Sequence, residues 1–288
     1  MKPAQAHAIR LPRQQAGFSL AELAIVLLIV GFLLGGMLTV FSAQMEQRKW
    51  NDTKSRLEAA RDAILGYAIA HGRLPCPANS ASAGAEVRQA SGTYINNCGA
   101  LGHDPATHPH DYYGGVVAGV TYGLLPAVTL GYQPVDAQGF ALDAWGNRIG
   151  YALSSTFAVS SPHTTNYTDA SALKTSGVSF LPGDLVVCAS ATGISPGPGT
   201  PRCNSAPSVT NQNTVVAVLY SPGKNGPGQV ARGADEAANV NPIGANDAVF
   251  VSHTPTPPGA ANGEFDDQLL WIPVGTLYSK LIAAGVLP

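Results

Sequence analysis

Between Glu22 and Glu46 the chain carries no charge. The 23 residues from Leu23 to Met45 read LAIVLLIVGFLLGGMLTVFSAQM. As a helix they extend about 34 Å, at about 1.5 Å per residue. A bilayer's hydrocarbon core is about 30 Å thick, so one crossing fits. No other stretch of the sequence qualifies. This segment therefore predicts a transmembrane helix at 23–45.

Two other readings fit less well. A cleaved secretory signal has an apolar region of about 7–15 residues followed by a small-residue site. Here the run is longer, and Phe41-Ser42-Ala43 is a poor site. A buried core helix of a soluble protein is usually shorter than this run. Residues 1–17 carry Lys2, Arg10 and Arg13 and no acid. The positive-inside rule places them in the cytoplasm, although Arg48 and Lys49 follow closely on the far side. Everything after about residue 46 then lies across the membrane.

Glu22 interrupts the apolar character near its start. A carboxylate at mid-bilayer costs on the order of 3 kcal/mol, and less near an end. By itself it reads as an interfacial acid favoured by the helix dipole. Its context is more specific. Gln14-Gln15-Ala16-Gly17-Phe18-Ser19-Leu20-Ala21-Glu22-Leu23 resembles the type IV prepilin signature, with a basic leader ending in Gly, then Phe, then Glu, then an unbroken apolar helix. The resemblance implies cleavage by prepilin peptidase between Gly17 and Phe18 and methylation of the Phe18 amine. It also implies that Phe18 and Glu22 act in assembly. The new α-amine has an unperturbed pKa near 8, so it is largely charged at neutral pH. Phe18 and Glu22 stand four residues apart, on one helix face. In the resembled family the amine of one subunit pairs with the carboxylate of its neighbour in the filament. One departure is that no Pro occurs between Pro12 and Pro75, where many major pilins carry a helix breaker.

Beyond the span, Trp50, Thr53, Leu57, Ala60, Ile64, Tyr67 and His71 recur at alternating steps of three and four. That is one face of an amphipathic helix. Gly72 and Pro75 end it. One helix from Phe18 to His71 would be about 80 Å long. A dimeric coiled coil is the alternative, but the stripe is short and mixed in character.

Composition bounds the rest. The chain has 288 residues with a net charge of −2, and only 12 % are charged, against about 25 % in a typical soluble domain. It is not a charged coiled coil. Its 16 basic residues are outnumbered by 18 acidic ones, so no nucleic-acid partner is expected from bulk charge. At 45 % hydrophobic residues it is not globally disordered. With 32 Gly and 22 Pro, the body reads as loop-rich with short strands.

Strands are expected at Gly115–Tyr122, Arg148–Ser154, Ser179–Ala189, Thr214–Ser221 and Ala248–His253. Ile194–Ser208 and Pro255–Asn262 read as long mobile loops. The C-terminal Phe265–Pro288 reads as an amphipathic docked segment, because Pro273 and its polar residues exclude a second span. The fold class is α+β: a long N-terminal helix, membrane half plus amphipathic half, packed on a loop-rich antiparallel β-sheet domain, pilin-like. The domains are a leader at 1–17, the helix region at 18–74 and a β-rich body at 75–288. Asp143-Ala144-Trp145-Gly146-Asn147 resembles a turn between strands of type II secretion major pseudopilins. Ser221-Pro222-Gly223-Lys224-Asn225-Gly226 resembles a Gly-rich loop of the same subunits. The body is larger than in those subunits, which favours a minor or accessory role.

The four cysteines allow three pairings. Cys76–Cys98 and Cys188–Cys203 are expected, because each closes a local loop. The absence of a C-x-x-C argues against zinc or redox chemistry. His103, His108 and His110, with Asp104 and Asp111, have the composition of a transition-metal site. A polar, Pro-rich surface loop is the simpler reading. Asp235, Glu236, Asp247, Asp266 and Asp267 read as solvated acids, or as ligands for Ca²⁺. Major pseudopilins bind Ca²⁺ in a comparable C-terminal loop, though these residues do not match it position by position. No other cofactor is implied.

No nucleophile elbow, P-loop or H-E-x-x-H motif appears, so no catalytic residue is assigned and an enzyme is not expected. The expected function is a structural subunit of a type IV pilus-like filament, either a type II secretion pseudopilin or a minor pilin. Its partners are homologous subunits, prepilin peptidase and inner-membrane lipid. It is expected to be single-pass in the inner membrane and then in the filament. The alternatives are a minor pilin displaying an adhesive or DNA-binding surface, and a membrane-tethered enzyme.

Overall fold

The computed structural model describes residues 17, 19–104, 108, 110–155, 167–176, 183–195, 203–211, 213–226, 233–240 and 248–287. The chain divides into two compact units, residues 1–48 and 49–288.

Helix α1 runs unbroken from Leu20 to His71, 52 residues. In the first unit its described side chains from 20 to 33 are all exposed, among them Leu20, Ile25, Leu28 and Phe32. Among the described residues no helix is long and apolar enough to cross a membrane. The side chains of 34–41, in the middle of the expected span, lie outside that description.

In the second unit, α1 buries Thr53, Leu57, Ala60 and Ile64, as its three-four spacing predicts. The face then moves to Leu65 and Ala68, while His71 is exposed. Gly72, at φ +69°, turns the chain out of the helix, and its N–H donates to the Ala68 carbonyl.

Among the described residues the body builds three small sheets rather than the single antiparallel sheet expected. The largest contains β3 (Gly150–Leu153), β5 (Val215–Ser221) and β7 (Gln268–Pro273), with β5 central and antiparallel to both neighbours. β5 is buried almost throughout, which explains its continuous Val-Val-Ala-Val-Leu run. Its side chains and those of β3 join the α1 face in one core with Leu125, Ile149, Phe250 and Ile272.

The second sheet is a hairpin of β1 (Gly115–Val117) and β2 (Val120–Tyr122). The sequence reads as one strand here. Ala118 and Gly119, both at positive φ, make the two-residue turn that splits it. The third sheet pairs β4 (Val186–Cys188) with β6 (Val249–Val251), and the pair is parallel. A parallel pair needs a long crossover, and the 60 residues between the two strands provide it.

The described residues of the second unit also form short helices: α2 (His110–Tyr113), α3 (Ala127–Leu130), α4 (Ala170–Ser176), α5 (Ala234–Asn239) and α6 (Val274–Ala283). The C-terminal segment docks through β7 and α6, with Pro273 as the α6 N-cap and Leu277, Tyr278 and Leu281 buried. Disulfides join Cys76 to Cys98 and Cys188 to Cys203.

Candidate functional site

Two regions carry chemistry: the start of α1 and an acidic pocket beside β7. At the first, Gly17 is exposed and Phe18 lies outside the described residues. Ser19 is the last residue before the helix. Its backbone N–H donates to Glu22 Oε2 at 2.9 Å, and the Glu22 N–H donates to Ser19 Oγ at 3.2 Å. This is the reciprocal capping box of Ser-x-x-Glu, which satisfies two N–H groups that the helix cannot pair. Glu22 also carries its negative charge in the first helical turn, where the dipole favours it.

The acidic pocket starts from two turns that touch. The Asp143 carboxylate accepts the backbone N–H groups of Trp145 and Asn147, closing the Asp-Ala-Trp-Gly-Asn turn. Asn147 Nδ2 then donates to the Gly223 carbonyl at 2.7 Å. The two islands that resemble pseudopilin sequence are thus in direct contact. Gly223, at φ +62°, is needed here because a Cβ would lie 2.0 Å from Asp266 Oδ1.

The 223–225 loop leads into the pocket. The Lys224 N–H donates to Asp266 Oδ2 at 3.2 Å, and Asn225 Nδ2 donates to Glu236. The Asp266 N–H donates to Glu236 Oε1, and Asn239 Nδ2 donates to Asp267 Oδ2. One oxygen from each of Glu236, Asp266 and Asp267 lies within 4.8 Å of the others. Asp266 Oδ1 and Asn225 Oδ1 are enclosed and accept no hydrogen bond. Burial, with Glu236 and then Glu264 nearby, pushes the Asp266 carboxyl up to about 7. A hard divalent cation suits this set. Ca²⁺–oxygen distances of about 2.3–2.6 Å place opposed ligands under about 5 Å apart, and carboxylate and amide oxygens are its usual ligands.

Among the described residues, three of the five acids expected at a Ca²⁺ site come together, Glu236, Asp266 and Asp267. Asp235 does not join the pocket. Its carboxylate accepts from Ser190 Oγ and Asn262 Nδ2, and it pairs with His253 Nε2 at 3.1 Å. Asp247 lies outside the described residues. Asn225 belongs to the pocket and sequence reasoning missed it; the Gly-Lys-Asn-Gly loop was the available signal. The Ser190–Asp235–His253 group places the carboxylate between hydroxyl and imidazole. A nucleophile needs the base beside it, so this order does not make a catalytic triad.

The histidine cluster is more ordered than a loop composition suggests. His103 stacks on His108 at 4.1 Å, and its Nδ1 pairs with the buried Asp111 at 2.9 Å. Burial lowers the His110 pKa, Asp111 opposes the shift, and His108 and His103 add to it. Among the described residues, ligand atoms of three acids, histidines or cysteines converge only at Glu236, Asp266 and Asp267.

Residues 12–38 match the family model of the prokaryotic N-terminal methylation motif. The start of this chain is therefore a type IV pilin-like cleavage and methylation segment. Comparison with curated proteins and with solved structures gives no match.

Proposed function

We propose that the chain is a structural subunit of a type IV pilus-like filament, either a type II secretion pseudopilin or a minor pilin. The methylation motif over residues 12–38 carries this reading. Prepilin peptidase cuts between Gly17 and Phe18 and methylates the new amine. Residues 23–45 anchor the subunit in the inner membrane, with the leader cytoplasmic and the body periplasmic. Assembly brings the Phe18 amine of one subunit to the Glu22 carboxylate of its neighbour. Two opposite charges in a low-dielectric surround attract far more strongly than in water, which makes the pair a natural assembly device. The large body, with its two disulfides, favours a minor or accessory position in the filament.

We also propose that Glu236, Asp266, Asp267 and Asn225 hold a Ca²⁺ ion. When bound, it supplies charge balance to the clustered acids and ties the 223–225 loop to α5 and the start of β7. The observation behind this is the enclosed pair of Asp266 Oδ1 and Asn225 Oδ1, which accept no hydrogen bond.

The first test is the N-terminal sequence and intact mass of the membrane-extracted protein, with and without prepilin peptidase. A start at Phe18 with one added methyl, lost in the peptidase-free strain, supports the filament-subunit reading. A start at Met1 in both strains overturns it.

A further inference from the structure

We propose that the cleft beside β1 docks an extended, uncharged peptide segment of a partner protein, which adds to the outer edge of β1 at Val116 and lays one large apolar side chain in the cleft. The proposal concerns the body alone and does not depend on the filament reading.

The edge follows from register. Among the described residues β1 pairs only with β2, and Val116 stands opposite Thr121. Opposed residues of an antiparallel pair alternate between bonded and non-bonded pairs. The Thr121 N–H donates to Ser80 Oγ at 3.0 Å, and the Thr121 carbonyl accepts the Ser80 N–H at 2.7 Å. Both groups therefore face away from β1, so Val116 and Thr121 form a non-bonded pair. The N–H and C=O of Val116 then point away from β2, to the outer edge of the hairpin. The Val116 side chain is exposed as well. A further strand can add at such an edge.

A cavity of about 430 Å³ adjoins it, lined by Val116 and Tyr122 on the hairpin side and by Tyr220, Pro222 and Val240 on the other. The walls are held by the fold. A Cβ at Gly150 would collide with the Tyr220 ring, so that ring rests on the β3 backbone, and Tyr122 meets His110 edge-on at 4.4 Å. The polar groups beside the cavity are committed. Arg148 pairs with Asp136 at 2.8 Å, and Asn147 Nδ2 donates to the Gly223 carbonyl. The cleft thus offers apolar surface with its one cation balanced, and burying a charge there would be costly. Residues paired across two strands share a face. Val116 lines the cavity, so the residue that pairs with it places its own side chain there. The edge supplies main-chain bonds and the cavity supplies selectivity.

Photo-crosslinking of the full chain in lipid nanodiscs tests this. The probe is the capped peptide Thr-Thr-X-Thr-Thr, with X p-benzoylphenylalanine, and crosslinked residues are mapped by mass spectrometry. Crosslinks are expected at Val116, Tyr220 or Val240. Excess of the peptide with X as Phe should displace the probe, and the peptide with X as Asp should not. N-methylation of the probe at X removes the N–H that meets the Val116 carbonyl and should lower crosslinking about five-fold, the size of one net hydrogen bond. Thr121→Trp fills the cleft while keeping the Thr121 backbone bonds, and should lower crosslinking at least as much at an unchanged melting temperature.

Equal crosslinking by the N-methylated probe would overturn strand addition, whether or not the Trp variant folds. Crosslinks only outside the cleft, or none that the Phe peptide displaces, would overturn the docking site. Undiminished crosslinking to a folded Thr121→Trp protein would do the same. Equal displacement by the Asp peptide would overturn the uncharged occupant.

Discussion

The Asp143 carboxylate accepts the Ser221 hydroxyl at 2.6 Å, with both side chains buried. This bond joins a turn before β3 to the end of β5, 78 residues away. The same turn is fastened to α1, since Thr53 Oγ1 accepts the Ala144 N–H and Arg56 donates to the carbonyls of Leu142 and Asp143. Trp145 meets Trp50 edge-on at 6.4 Å. Asp143 is therefore the common point of the globular helix half, the central sheet and the loop that leads into the acidic pocket.

Removing that carboxylate should be costly. Asp143→Ala leaves the N–H groups of Trp145 and Asn147 without their acceptor and strands the Ser221 hydroxyl. An unsatisfied buried polar group costs about 1–3 kcal/mol. A loss of about 3 kcal/mol or more is expected in urea unfolding of the detergent-solubilised protein. Ser221→Ala alone should cost about 1 kcal/mol. In the double-mutant cycle, Ser221→Ala should add little once Asp143 is gone. Full additivity would show that the two residues act independently.

Asp184 should give the body a pH-dependent stability of a sign unusual for a carboxylate. It accepts the Tyr113 hydroxyl, Ser154 Oγ and the Ser155 N–H, yet burial pushes its pKa up to about 6, from an ordinary value of 3.8. A raised folded-state pKa means that the fold prefers the protonated form. Its stabilising contribution is complete below about pH 4 and is lost as pH rises through about 6. The size is on the order of 3 kcal/mol. Glu86 and Asp136, whose pKa values are lowered, act in the opposite sense. The test is therefore a difference between two proteins. The wild type should lose stability relative to Asp184→Asn between about pH 4 and about pH 7. A constant difference would remove Asp184 as the source.

Much of this was legible in the sequence, and the failures have physical causes. Glu22 and the run after it stand out because charge and hydropathy are read directly from residue types. The α1 face is legible from Thr53 to Ile64 because the three-four period is intact there. β5 is legible because a strand between two partners is apolar on both faces. The parallel β4–β6 pair was not, since three-residue strands carry no period and strand direction leaves no local trace. The acidic pocket was half legible. Asp235 and Glu236 are consecutive residues of α5, so their side chains point about 100° apart and only one can face the pocket. Asn225 was passed over because a search for acids does not register an amide oxygen.

The two disulfides should stabilise different parts of the body. Cys76–Cys98 spans 22 residues and Cys188–Cys203 spans 15, so the chain-entropy model gives each about 3 kcal/mol. Cys76 and Cys98 belong to the main core, together with Leu74 and Tyr151. Cys188 and Cys203 belong to a smaller cluster with Val186 and Val249. Replacing Cys76 and Cys98 together by Ala should lower the global unfolding midpoint. Replacing Cys188 and Cys203 should first expose the neighbourhood of β4 to hydrogen exchange. Equal exchange at β4 and β5 in the second variant would place both disulfides in one cooperative unit.

The acidic pocket makes a prediction that divides neighbouring acids. Ca²⁺ at about 1 mM, with a dissociation constant of about 10 µM, would stabilise the folded protein by about 2.7 kcal/mol. Melting with Ca²⁺ should therefore exceed melting with a chelator by several degrees. Asp266→Asn should abolish that difference, because it weakens a carboxylate whose Oδ1 has no protein partner. Asn225→Leu should reduce it by removing a neutral ligand. Asp235→Asn should lower stability in both conditions and leave the difference intact, because Asp235 is committed to Ser190, Asn262 and His253. Loss of the calcium response in Asp235→Asn, with retention in Asp266→Asn, would move the site to the other side of α5. No response to calcium in the wild type would overturn the Ca²⁺ proposal.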